Sequence, residues 1–213
     1  MNLDLPAGRS DAYKPTSPFE LRHASTHRPL FVVVPERRLL AINSAGPRGA
    51  ADFRLATSLL RTVADIVHSK VLRIRRGEPV RALLEVTWPV EPGLTVDEVI
   101  EALSCPTPRW RQMIELPQAA TESMVAEAID EARRLGGRDV ALIRSIHFTE
   151  GPAVQILHLG NDDALWSIRK LFNFVGESGL RASGDLHELV LADPTAVGRA
   201  RARSILRVPT AYG

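Results

Sequence analysis

The residue most able to do chemistry is a carboxylate set inside an apolar strand. In Leu186-His187-Glu188-Leu189-Val190-Leu191-Ala192-Asp193-Pro194 the apolar run reads as a short strand that ends at a helix start. Asp193 suits the cap, and Pro194 suits a first helical position that needs no N–H. Strand alternation puts Glu188 on one face with Leu186 and Val190, and His187, Leu189 and Leu191 on the other. A carboxylate among such neighbours must face water or find a cationic partner, because burial alone is costly and raises its pKa. Two chemistries follow. On an apolar wall it holds an organic cation or a hydrogen-bond donor; desolvated beside a water molecule it is a general base.

Other reactive side chains carry less. Cys105 is the single cysteine, so no intrachain disulfide forms, and Ser104-Cys105-Pro106 offers it no activating histidine. His23 and His27 stand at a spacing that would hold a metal on a helix, but Pro18 and Pro29 bound them and no carboxylate completes a set. No metal site and no cofactor is therefore expected. His158 lies in a continuous apolar run and reads as an interior histidine. The four arginines of 73–81 surround Gly77 and Pro79 and read as a solvated turn.

The elements that must position Glu188 can be read in order. Residues 1–29 form a polar, proline-broken amino-terminal arm. Strands are predicted over 30–34 and 39–42, then a helix over 49–68, where Phe53, Ala56, Leu60, Val63 and Val67 recur at three and four. A strand over 82–88, a short helix over 95–103 and a strand over 110–116 follow. Thr121 caps the next helix. Strands over 142–148 and 153–159 are joined by Glu150-Gly151, read as a hairpin turn. A helix starts at Asp162 or Asp163. The Glu188 strand then leads into a terminal helix over 194–207, its charged face carrying Arg199 and Arg203.

Composition bounds the function. With 213 residues and 45% hydrophobic content the chain can bury a sizeable core, and 27 basic against 25 acidic residues give no dense cationic surface for nucleic acid. No apolar run suits a signal sequence or a membrane span, so a cytoplasmic protein without nucleic-acid or membrane partners is expected.

Several segments, in order, resemble the GyrI-like small-molecule-binding family. They are AYKP at 12–15, VPERRLLAINSAG at 34–46, RWRQMIELP at 109–117, VQILHLG at 154–160 and GDLHELVLADPTAVGRARARSILRVPT at 184–210. The resemblance implies an α+β fold in one domain over 30–210: a pseudo-twofold pair of strand-helix-strand-strand units, with halves at about 30–117 and 140–194, an antiparallel sheet and a central ligand cleft. It implies Glu188 as the charged contact, with Trp110, Trp88, Glu91 and Val190 lining the cleft. Val190 stands where relatives carry a tyrosine, and Thr95 where they carry a tryptophan. The function so implied is a stand-alone binder of a lipophilic organic compound, cationic or hydrogen-bond-donating. The alternative is a hydrolase of isothiocyanate, epoxide or cyclopropane electrophiles with Glu188 as catalytic base, and a second is a non-catalytic scaffold. A protein partner is not indicated.

Overall fold

The computed structural model describes residues 24, 26, 28–75, 82–136 and 138–212. Most of the amino-terminal arm, with AYKP, His23 and His27, and most of the arginine-rich turn at 73–81 lie outside the described residues.

Local chemistry sets the helix starts. Thr95 and Glu98 form a reciprocal capping box on α2 (Val96–Leu103), and the Thr121 side chain accepts from the Met124 N–H at the start of α3 (Glu122–Arg134). Asp163 caps α4 (Ala164–Glu177), accepting from the Leu165 N–H. In α1 (Ala51–Arg75) the predicted stripe from Phe53 to Val67 is buried. Val71 extends that stripe, and the helix runs about two turns beyond residue 68.

Among the described residues the sheet has nine antiparallel strands: β1 (Leu30–Val34), β2 (Arg37–Ala45), β3 (Leu84–Trp88), β4 (Arg109–Glu115), β5 (Arg144–Phe148), β6 (Gly151–Leu159), β7 (Leu180–Ala182), β8 (Leu186–Ala192) and β9 (Arg203–Tyr212). Eight lie in the order β1-β6-β9-β8-β3-β4-β2-β5, and β7 pairs with β9. A dyad is visible in that order. The unit β2-α1-β3-β4 is mirrored by β6-α4-β8-β9, with β3 and β8 side by side at the centre. Each unit's leading strand crosses over: β1 pairs with β6 of the second unit and β5 with β2 of the first. This is the α+β fold expected, with its pseudo-twofold pair of units.

Two readings of the chain are corrected. The terminal helix over 194–207 ends as α5 (Pro194–Val197), at Gly198 with φ of 79°; after one 3-10 turn the chain enters β9. The slot between β6 and β8 must be filled, and β9 fills it with Leu206 and Val208 toward the helices and Ile205 and Arg207 away from them. Glu150-Gly151 is likewise no hairpin turn, because β5 and β6 lie six positions apart in the strand order and pair with other strands.

Curvature follows from chain length. Val34 and Arg37 are joined through Pro35 and Glu36, a span of at most about 11 Å. In a flat sheet β1 and β2 would lie six strand spacings, about 29 Å, apart. The link from Phe148 to Gly151 makes the same demand between β5 and β6. The sheet therefore curls until its ends approach. The helices cover one face, and their apolar stripes meet Val86, Ile114, Val154, Ile156, Leu206 and Val208 in the main core. Burial contributes about 1.5–3 kcal/mol for each such side chain.

Candidate functional site: a buried carboxylate under an arginine

Glu188 occupies the middle of β8 on the helix-covered face. Its register partners are Val86 on β3 and Leu206 on β9, both core residues, so the carboxylate is 3% exposed. A charge so placed needs a partner, and the β2–α1 turn provides it: the Arg48 guanidinium donates to Glu188 Oε2. Gly46 (φ 125°) and Gly49 (φ 77°) bracket Arg48 in left-handed backbone that other residues rarely adopt, and this turns the segment back over the sheet. Partial burial works against the Arg48 charge, but Glu188 and Asp193 outweigh it and its pKa is raised. Asp193 is α5's cap. Its carboxyl lies below the ordinary value, because Thr195 and the charges of Arg61 and Arg48 outweigh its desolvation.

Glu188 and Arg48 lie in a cleft of about 370 Å³ between β8, β9, the end of β6 and the start of α4. Val190 also lines it, as do His158, Asp162, Asp163, Arg199 and Arg203. His158 Nδ1 is 3.1 Å from Ser167 Oγ, and burial, aided by Arg48, lowers its pKa against the pull of Glu188, Asp162 and Asp163. At neutral pH it is uncharged. One glycine is required at the wall: a Cβ on Gly160 would sit 2.2 Å from the Arg199 carbonyl oxygen and 2.7 Å from Ala202 Cβ. Gly160→Ala is expected to lower stability by about 1–3 kcal/mol. Urea unfolding checks this; an unchanged midpoint would mean that the 199–202 segment yields freely.

The other expected lining residues are placed elsewhere. Trp88 and Trp110 are buried in the core around Phe53, Trp88 stacked on its ring at 6.2 Å and Trp110 edge-on at 5.1 Å. Trp110 Nε1–H donates to the Gly46 carbonyl and so supports the turn that carries Arg48. Glu91 is exposed. None of the three lines the Glu188 cleft. Sequence reasoning missed Arg48, whose one local signal is its place in Gly46-Pro47-Arg48-Gly49. It also read His158 as interior, although the residue is only half-buried.

On the opposite face, inside the curl, β8 is anchored by charge. His187 is fully buried, with Nδ1 2.9 Å from Glu150 Oε1 and Nε2 3.0 Å from Glu85 Oε2. Arg37 donates to both oxygens of Glu85 at 2.7 and 2.8 Å. Arg207 donates to Glu150 at 3.0 Å and twice to Gln155 Oε1. Burial would push both carboxyls up, but their partners win: Glu85 is held well below the carboxylate range and Glu150 at about 2. Burial likewise opposes the His187 charge, yet Glu150 and Glu85 raise its pKa. Glu188 is thus one residue from a cross-braced ionic core.

No protein-family model matches the chain, and no curated protein does. Solved structures do. A hydrolase from Listeria innocua aligns at 21% identity with a TM-score of 0.73, over 91% of this chain and 96% of that one. An uncharacterized conserved protein from the same species gives 22% identity and 0.74, over 91% and 97%. The EcmrR C-terminal domain gives 11% and 0.56, over 87% and 98%. With the crossed pair of strand-helix-strand-strand units, these likenesses define the fold as GyrI-like. Among the described residues, no helix is long and apolar enough to cross a membrane.

Proposed function

We propose that the protein is a hydrolase of small organic electrophiles and that Glu188 is its general base. The observation that carries this reading is the placement of Glu188, a nearly inaccessible carboxylate in the wall of a cleft, with one oxygen fixed by Arg48. The fold shared with a Listeria innocua hydrolase adds to it. With an epoxide, water adds to a ring carbon, the C–O bond to the ring oxygen breaks, and Glu188 takes the water proton. Arg48 donates to the alkoxide as it forms, and Glu188 returns the proton to give the diol. Such a positioned base contributes about 10²–10⁴-fold.

The binding reading, in which Glu188 takes a lipophilic cation, is less well served. Such a ligand gains from an unpaired carboxylate and aromatic walls. Here Arg48 already holds the carboxylate, and no Phe, Tyr or Trp lines the cleft among the described residues. The experiment is turnover of an isothiocyanate, an epoxide and an activated cyclopropane by wild type and Glu188→Gln, which keeps the shape and removes the charge. The variant is expected to lose about 10²-fold or more in kcat/KM. Equal rates in the two proteins would remove Glu188 as the base. A folded wild type that turns over none of them, yet is stabilised by a lipophilic cation, would return the protein to the binders; stabilisation by no compound would favour a scaffold.

A further inference from the structure

We infer that the substrate carries an anionic group, a carboxylate or a like oxyanion, beside its electrophilic carbon, and that Arg48 selects it; this rests on the hydrolase reading above. The cleft's acidic groups are largely committed. Glu188 is held by Arg48, and Asp163 accepts the Leu165 N–H as the α4 cap. Its basic groups are not. Among the described residues neither Arg199 nor Arg203 has a carboxylate within 4.0 Å, and Arg199 spends only its Nε–H, on the Gly160 carbonyl. Among the described residues Asp162 is the one carboxylate of the lining whose side chain makes no hydrogen bond or ion pair. Two guanidinium groups with unspent donors, Arg199 and Arg203, therefore stand in the wall that holds Glu188.

Arg48 has the geometry of a selector. One Nη engages Glu188 Oε2, the side chain stays 42% exposed at the cleft, and among the described residues the rest of its planar fork of donors makes no hydrogen bond. An anionic group bound there places the adjoining carbon next to Glu188 and leaves the ion pair intact. A cationic compound meets Arg48 first and reaches Glu188 only by breaking that pair, which would strand a buried charge. A cleft of about 370 Å³ lies at the small end of ligand sites and suits a compact molecule of this kind.

Three matched epoxides test the inference: glycidate (anionic), glycidol (neutral) and glycidyltrimethylammonium (cationic). Wild type is expected to prefer glycidate over glycidol in kcat/KM by about tenfold or more, the ratio one charge-assisted hydrogen bond supplies, and to use the cation least. Arg48→Gln should abolish that order, and Arg48→Lys, which keeps the charge and loses the fork, should restore part of it. Calorimetry with the diol products, glycerate against glycerol and the trimethylammonium diol, reads the same preference without turnover. Glycerate binding no tighter than glycerol, or an order unchanged in a folded Arg48→Gln protein, overturns the inference. Neither result touches the hydrolase reading, which falls only if Glu188→Gln stays fully active or wild type has no turnover.

Discussion

Arg207→Met is expected to lower the free energy of unfolding by about 3–5 kcal/mol, the range for removing one partner of a buried ion pair. Arg207 is the largest fully buried side chain among the described residues. Its removal takes one cationic donor from Glu150, which keeps His187, deprives Gln155 Oε1 of both guanidinium donors, and removes a positive charge from a fully buried position. The methionine keeps most of the apolar volume, so the loss reports the charge rather than a cavity. The check is a urea double-mutant cycle with Glu150→Gln, in which neutralising both partners should recover part of the loss. Strictly additive losses would mean that the two side chains are not coupled, contrary to their 3.0 Å contact.

The second large effect is a stability optimum on the mildly acidic side. Glu150 titrates at about 2 in the folded chain against an ordinary 4.5, and Glu85 is also depressed. For a lowered carboxyl the unfolded chain binds the proton first, so the contribution is whole above about 4.5 and drains away as pH falls toward about 2. His187 has the opposite sign. Its pKa is raised, so its contribution is whole below the ordinary 6.5 and is lost as pH climbs through the folded value. All five charges coexist between these limits. His158, whose pKa is lowered, penalises the folded state as pH falls below 6.5 and so steepens the acid limb. The measurement is therefore the difference between wild type and His187→Gln in urea midpoints from pH 2 to pH 9. A difference that stays constant from pH 5 to pH 9 would show that His187 does not carry its charge between the two carboxylates.

What the sequence made legible was local. Thr121 and Asp193 were readable as caps, and Asp162 or Asp163 as a helix start, because such signals depend on the two or three residues that follow them. The α1 stripe was readable because one helix face meets one core. The last strand was not, since 203–212 is extended only because β6 and β8 leave a slot, and its arginines fall at helical spacing by coincidence of pattern. Glu188 stood out because a charge interrupts an apolar strand, whereas Arg48 gave little sign because its partner is 140 residues away. Trp88 and Trp110 looked like cleft walls from the resemblance, yet Phe53 gives both a place in the core. The buried charges of Arg37, Glu85, Glu150 and Arg207 were invisible for a related reason: in isolation each is an ordinary surface residue type, and only the curl of the sheet encloses them.

The crossing of the leading strands also has a kinetic consequence. No two neighbouring strands of the eight-strand order are joined by a tight turn, and the two-residue links at Pro35-Glu36 and Thr149-Glu150 join strands that do not pair. A growing chain cannot zip its sheet from any one hairpin. The first unit waits for β5 to complete its edge, and the second takes β1 from a segment made long before. Refolding should accordingly be slow, on the millisecond-to-second scale of chains dominated by distant contacts, with the two halves locking in one step because each holds a strand that belongs to the other.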